Sequence, residues 1–204
     1  MKKTRLSSLA LVWWVSLLLV LPTAVVMGDE QAEKGFALMK EEALNEIRLE
    51  MPQQAVLKAL GKPTKKGEDV EWEAIGEHVQ EWQYPAQGLT LQMASVKKGG
   101  AKRVLCISQK APGASGTRKG LRIGSSEAEV RKAYGALEDK EASRKGEIFV
   151  AGTVYGGLVF HFEKGKVSEI FLGAWRSRKG ARGKAGRHAG RNNPGGLAYP
   201  FPPA

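Results

Sequence analysis

The sequence has little of the chemistry that supports catalysis or metal binding. It contains one cysteine, Cys106, and three histidines, His78, His161 and His188, among 204 residues. A single thiol can form neither an internal disulfide nor a metal site made of several thiolates. The histidines lie in different segments, and no two have the spacing of a helical metal site. Serine-nucleophile and Walker-type motifs are also missing. We therefore expect a protein that is not an enzyme and that holds no metal or cofactor.

Acidic residues are missing from both ends of the chain. Residues 1–28 contain three basic side chains and no acid, and residues 176–191 contain seven basic side chains and no acid. These ten cations account for most of the formal charge of +11, because residues 29–175 hold the other 22 bases against 21 acids. A nearly neutral middle segment is not typical of a nucleic-acid-binding domain. We expect the folded part not to bind nucleic acid.

The first 28 residues have the pattern of a secretory signal peptide. Lys2, Lys3 and Arg5 precede an apolar run over residues 9–21, and Gly28 stands at a position suited to cleavage. An uncleaved membrane anchor is the alternative, because the apolar stretch is nearly long enough to cross a bilayer. We expect an exported protein, periplasmic or extracellular, that is anchored to the membrane only if the signal is not cleaved.

The other acid-free segment is a basic tail. Residues 176–204 are rich in glycine, arginine and proline, a composition that predicts disorder. The tail's cations are Arg176, Arg178, Lys179, Arg182, Lys184, Arg187 and Arg191. Such a tail would adhere to an anionic membrane surface, an envelope polymer or nucleic acid, with an attraction that weakens in salt. A purely solubilising role is an equal alternative.

One pattern occurs twice in the chain. Residues 47–61 align with residues 121–135 at a constant offset, with identical arginine, valine, lysine, alanine and glycine positions. Glycine and apolar positions of residues 88–93 match residues 157–162, after longer loops in the first copy have reduced the offset. We expect repeat 1 over residues 47–110 and repeat 2 over residues 117–175. Residues 29–46 form an N-terminal helix or linker, only loosely attached.

Each copy begins with a short helix whose two ends are indicated by capping residues in the sequence. Pro52 fits the first helical position of the first helix, and Ser125 or Ser126 can cap the second. Gly61 and Gly135 fit the left-handed position past the helix ends. Both helices carry an apolar stripe, so each needs a surface to cover.

Alternating apolar and polar residues after each helix predict strands. Period-two alternation with one apolar face and glycine-containing turns indicates a three- or four-stranded antiparallel meander in each repeat. The fold class is therefore α+β, with two tandem repeats of helix and meander. A helix on one sheet face leaves the other face without an obvious partner, and we expect it to be a binding surface. Its residues are Gln83, Thr90, Gln92, Val159, His161 and Phe171.

Two further segments have a structural interpretation. Residues 116–120 superficially match a phosphate-binding loop but lead into a short strand and not a helix, so we interpret them as a turn. Cys106 lies in an apolar strand over residues 104–107, where a buried and unreactive thiol is expected.

The repeat resembles a small α+β module of two known groups of proteins. The resemblance rests on the glycines and apolar residues of 120–130, on Tyr134 and Gly135, and on residues 157–160 and 165–170. These are similar to the SmpA/OmlA outer-membrane assembly lipoproteins and to the β-lactamase inhibitor protein. In the latter, two such units in tandem present a concave sheet to a protein partner. This chain lacks the lipoprotein cysteine and the inhibitor's disulfides, so the resemblance implies a shared binding architecture.

The residues and the resemblance together predict an exported, non-catalytic binding module that recognises a protein or cell-envelope component through its open sheet face. One alternative is an inhibitor of a secreted enzyme, which would act through the long loops expected at residues 62–69 and 76–78. The other is a structural envelope factor held by the apolar N-terminus or the basic tail.

Overall fold

The computed structural model describes residues 27–153 and 155–174. These residues form three α-helices and seven strands. The helices are α1 (Met27–Glu41), α2 (Gln53–Leu60) and α3 (Glu127–Tyr134). The strands are β1 (Lys65–Trp72), β2 (Glu77–Tyr84), β3 (Leu89–Ser95), β4 (Arg103–Lys110), β5 (Ile148–Thr153), β6 (Gly156–Glu163) and β7 (Lys166–Gly173).

All seven strands belong to one antiparallel sheet with the order β1-β2-β3-β4-β7-β6-β5. Strands that follow one another in sequence pair with one another on each side of the centre, where β4 pairs with β7. The central pairing is short and runs from Ile107↔Leu172 to Lys110↔Glu169. The prediction of an α+β fold with an antiparallel meander and short helices is confirmed.

The helix ends follow the predicted residues with two differences. Ser126 caps α3 and forms a reciprocal capping box with Glu129, and Gly61 ends α2 with a φ of 77°. Pro52 precedes α2 as its N-cap and is not its first helical residue. Gly135 has a helical φ of −57° and starts a 3₁₀ turn, so the left-handed conformation expected there is wrong.

The three helices cover one face of the sheet, which we call the inner face. Its core contains Trp82, Leu91, Ile107, Phe160 and Ile170 from the strands, all essentially without solvent exposure. The helices add buried apolar side chains to this cluster, namely Leu38, Val56, Val130 and Tyr134. The ring of Phe160 lies 5.6 Å from that of Tyr134 and 6.3 Å from that of Phe149, distances typical of favourable aromatic pairs. Burial of these apolar groups supplies the main stabilising term.

Helix α1 is more firmly attached than its weak amphipathicity predicts. Leu38 is buried in the core, and the side-chain amide of Gln31 donates to the carbonyl oxygens of Leu137 (3.0 Å) and Gly152 (3.1 Å). The helix backbone approaches the β5–β6 hairpin where Gly35 faces Gly156, a contact that leaves no room for a Cβ atom. The expectation of a loose attachment is therefore wrong. Gly35 and Gly156 allow close backbone contact, and the spacing of apolar residues along the helix does not predict such a contact.

The charged segment expected to be a loop, residues 62–69, is largely an edge strand. Residues from Lys65 onward belong to β1, which pairs with β2 and has an irregular register between Lys66 and Asp69. An edge strand exposes one row of backbone groups, and charge with irregular register protects such an edge from pairing with another chain. The high charge that indicated a loop is thus compatible with a strand.

Candidate binding face

The sheet has a second face, opposite the helices, which we call the outer face. Cross-strand partners share a face, and residues two apart on one strand share it too. The outer face therefore carries the alternate strand residues that do not enter the inner core. It includes two small apolar clusters. Cys106, Ile148, Val150, Val159 and Phe171 form the first, and Trp72, Val79 and Ala94 form the second.

The six residues predicted for the binding surface all lie on the outer face, in three adjacent cross-strand rows. The middle row crosses five strands through the pairs Gln83↔Thr90, Thr90↔Ser108, Ser108↔Phe171 and Val159↔Phe171. Gln92 belongs to the next row on one side, opposite Glu81 and Cys106. His161 belongs to the next row on the other side, opposite Glu169, which pairs with Lys110. The rows cross the junction of β4 and β7.

These six residues differ in exposure. Gln83, Thr90 and His161 are half-buried, whereas Gln92, Val159 and Phe171 are buried. In this structure the buried three pack within the protein. The outer face is consequently less open than expected, and contact with a partner through these six positions stays a prediction.

Part of the outer face is covered by the segment between α3 and β5. The backbone amide of Asp139 donates to the carbonyl oxygen of Val150 (2.8 Å), and that of Arg144 donates to Ile148 (2.8 Å). This holds the segment along edge strand β5, and Ala142 packs against the first apolar cluster. The expectation that the face has no partner is wrong at this end, because the segment between α3 and β5 folds against it.

Two carboxylates on the outer face organise hydrogen bonds with the predicted residues and their neighbours. Glu81 accepts hydrogen bonds from the side-chain amides of Gln83 and Gln92. Glu169 accepts from the hydroxyl of Ser108 at 2.6 Å and forms an ion pair with Lys110 at 3.2 Å. Burial raises the pKa of Glu169, although the bonds from Ser108 and Lys110 oppose the rise. The second network crosses from β4 to β7 and ties the two sides of the sheet together.

The six predicted positions do not include Glu81, Ser108, Lys110 or Glu169, which form this network. Continuing the period-two alternation of β4 from Cys106 places Ser108 and Lys110 on the same face. The alternation of β7 likewise places Glu169 beside Phe171. The strand period is therefore the signal that places these residues on the outer face. It does not show which of them form hydrogen bonds across the sheet.

The titratable groups at this face are tuned mainly by burial. Burial lowers the pKa of His161, and the positive charges of Lys110 and Arg144 lower it further. Burial raises the pKa of Cys106 to about 12, so its thiol stays protonated at neutral pH. The prediction that the thiol is buried is confirmed.

The outer face combines polar and charged side chains with apolar ones. The Ser108 hydroxyl donates to the carboxylate of Glu169. Within residues 27–153 and 155–174, no three histidine, cysteine, aspartate or glutamate side chains come together as a metal site. What the face offers is a row of amide, hydroxyl and charged groups beside apolar side chains, which suits recognition of a polar surface.

Several predictions fall on residues that the structure does not describe. The signal peptide lies outside the described residues up to position 26, and the basic tail over residues 176–204 lies outside them entirely. Among the helices that are described, none has the length and apolar character needed to span a membrane.

No protein-family model, characterised protein or solved structure matches this chain. The resemblance to the SmpA/OmlA and inhibitor modules therefore depends on the sequence motifs alone.

Proposed function

We propose that this protein is an exported, non-catalytic binding module whose outer sheet face recognises another protein or a cell-envelope component. The observation that carries the proposal is the alignment of the six predicted positions in adjacent rows across the β4–β7 junction. A row of amide and hydroxyl groups flanked by charge is typical of the polar part of a protein interface.

The proposal includes two tandem units of the SmpA/OmlA-like or inhibitor-like type. The order of elements supports it, because α2 precedes β1–β4 and α3 precedes β5–β7. The last strand of each unit lies at the centre, and the strands β2, β3 and β4 are mirrored in order by β5, β6 and β7. An antiparallel β4–β7 pair is the arrangement that a local twofold axis between two like units would produce.

Within this proposal the half-exposed residues make the contact and the buried ones support it. Gln83, Thr90 and His161 are partly accessible, and the side chain of Lys110 is 44 % exposed. Val159 and Phe171 pack in the first apolar cluster and stabilise strands β6 and β7, to which they belong.

The direct test is site-specific photocrosslinking in the producing cell. A photoreactive amino acid at Thr90 reports on the outer face, and the same amino acid at Lys58, exposed on α2, is the matched control on the helix side. We expect one discrete crosslinked product from position 90 that is missing from position 58. Equal products from both positions, or none from position 90 in a correctly folded protein, would contradict the proposed face.

Export and the tail are tested separately. The mass of the purified protein's N-terminus distinguishes cleavage after Gly28 from an intact anchor, and an intact chain recovered from the cytoplasm would contradict export. For the tail, we expect deletion of residues 176–204 to reduce retention on anionic envelope fractions at low salt. Unchanged retention would leave the tail with a solubilising role only.

A further inference from the structure

A cleft of about 540 Å³ opens on the helix side of the molecule, away from the outer face. It lies between the segment that joins α1 to α2, helix α2 itself and the turn at residues 116–118. Its apolar lining comes from Ala43, Met51 and Ala59, and its charged lining from Glu46, Arg48 and Arg118. Pockets for small ligands commonly have volumes of about 300–1,000 Å³ and pair apolar walls with a few polar groups.

The charged side chains of the cleft are available to a ligand. Arg48, Arg118 and Glu46 are all exposed. Neither guanidinium forms an ion pair with any residue of the described part of the chain. Guanidinium groups bind carboxylates through paired, charge-assisted hydrogen bonds. The cleft therefore offers two guanidinium groups that can bind an anion and one carboxylate, that of Glu46, that can bind a cation.

A buried carboxylate fixes the walls of the cleft in place. Glu42 is 3 % exposed, and its Oε1 accepts from the backbone amides of Arg118 (2.6 Å) and Ala43 (3.0 Å). Its Oε2 accepts from the hydroxyl of Tyr134 on α3 at 2.5 Å. Burial of a carboxylate is costly unless it is fully hydrogen-bonded. Here the bonds join Ala43 on one wall to Arg118 on the other, so the cleft is formed before a ligand arrives.

The turn that carries Glu46 is also held in a defined and unfavourable conformation. Leu44 and Ile47 exchange two backbone hydrogen bonds of 3.0 Å, and the two residues between them have positive φ values, 51° for Asn45 and 66° for Glu46. Such a turn favours glycine at its second central position, where this chain has glutamate. Residues in disfavoured conformations persist where the surrounding structure holds them and are concentrated at functional sites.

The backbone of the neighbouring turn argues against a phosphate ligand. The amide of Thr117 donates to Leu121, that of Arg118 to Glu42 and that of Gly120 to Thr117. A phosphate-binding loop needs free backbone amides that point at the anion. Binding of an anion at this cleft therefore depends on the two arginine side chains.

We propose that this cleft binds a short peptide with a free terminal carboxylate and a free amino group. Arg48 and Arg118 bind the carboxylate, Glu46 binds the ammonium group, and an apolar side chain of the peptide packs on Met51 and Ala59. The cleft lies on the opposite side of the sheet from the proposed partner surface, so neither proposal depends on the other.

The test uses the full chain and the dipeptide alanyl-leucine as the probe. Titration is followed through the NMR signals of the Ala43 and Thr117 amides, and we expect saturable shifts. Arg48→Ala and Arg118→Ala should each weaken binding about tenfold, the effect of one lost charge-assisted hydrogen bond. Arg122→Ala is the matched control, since Arg122 is exposed on the same turn region but does not line the cleft.

Two modified probes separate the subsites. The C-terminal amide of the dipeptide should lose the arginine-dependent affinity, and its N-acetyl form should lose the part that depends on Glu46. Glu46→Gln should make the free and acetylated dipeptides bind nearly alike. Absence of saturable shifts up to about 10 mM dipeptide, a range that covers weak binding, would overturn the proposal. Equal binding by a protein with both arginines replaced would overturn it too.

Discussion

The buried ion pair between Lys102 and Asp69 gives the sharpest prediction about stability. The ammonium group of Lys102 lies 2.8 Å from a carboxylate oxygen of Asp69 and 3.1 Å from the hydroxyl of Ser95. The side chains of the pair are 5 % and 12 % exposed, respectively. The second oxygen of Asp69 accepts from the amide of Gly99 at 2.8 Å. The pair connects β1 to the start of β4 under the loop that follows β3.

Replacing Lys102 with methionine removes the charge but keeps an apolar stem of similar length. Removal of one partner from a buried pair costs roughly 3–5 kcal/mol, because the remaining charge stays buried without its counter-ion. We expect a loss near the lower limit, about 3 kcal/mol, since Asp69 keeps its bond from Gly99. Lys102→Met together with Asp69→Leu should recover much of that loss, because no buried charge is left.

The effect should depend on pH in a defined direction. Burial acts to raise the pKa of Asp69, but the bonds from Lys102 and Gly99 outweigh it, and the pKa lies below its ordinary value of 3.8. A carboxyl whose pKa is lower in the folded than in the unfolded state stabilises the fold above the unfolded pKa. That contribution is lost as the pH falls through the folded pKa. The difference in free energy of unfolding between the wild type and Lys102→Met should therefore become smaller in acid.

The assay is urea unfolding of both proteins at neutral pH and at acid pH, with the free energy of unfolding extrapolated to water. Arg144→Met is the matched control, because Arg144 pairs with Glu147 at the surface, where the side chains are 44 % and 68 % exposed. An exposed pair contributes about 0–1 kcal/mol. This account would be refuted if Lys102→Met lost no more free energy of unfolding than Arg144→Met. It would also be refuted if the difference in stability between the wild type and Lys102→Met became larger in acid.

Three other substitutions are expected to change the midpoint of thermal unfolding. Gly35→Ala should lower stability by about 1–3 kcal/mol, because a Cβ atom would collide with the backbone of Gly156. Ser126→Ala should lower the free energy of unfolding by about 1 kcal/mol, because the capping box of α3 is lost. Lys132→Ala is the control and should cause no change, because Lys132 is exposed on α3 and takes no part in the cap. Gln109→Met should raise stability by about 1–2 kcal/mol, since the fully buried amide has no hydrogen-bond partner among the described residues. A shift of the opposite sign in any of the three would contradict its stated cause.

The short helices and the inner strand face could be predicted from the sequence because their signals are local. Ser126, Gly61 and the alternation around Trp82 and Phe160 each act within a few residues, and the structure uses them as predicted. The prediction of a left-handed conformation at Gly135 is wrong, because a 3₁₀ turn that begins at this residue continues α3. Helix ends are decided by small energy differences that neighbouring turns can reverse.

Features that depend on contacts distant in sequence could not be predicted in this way. Composition alone does not distinguish a charged loop from a charged edge strand, and β1 becomes a strand because β2 supplies its hydrogen bonds. Glu42 gave no signal, because its partners Arg118 and Tyr134 lie 76 and 92 residues further along the chain. The strand period is local and places the six residues on the outer face. The burial of Val159 and Phe171 also depends on the segment between α3 and β5, which has no periodic pattern.

Position on the outer face decides which substitutions can separate recognition from folding. Glu169 bonds to Ser108 and Lys110 across the β4–β7 junction, so its replacement would weaken the sheet and alter the surface together. The same holds for Val159 and Phe171, whose truncation would leave a cavity. Thr90 is half-buried and lies in the same row, and its replacement by valine would remove a hydroxyl while keeping the β-branched shape that suits a strand. Loss of partner binding in Thr90→Val with an unchanged unfolding midpoint would assign recognition to this face, whereas parallel losses of binding and stability would assign it only a structural role.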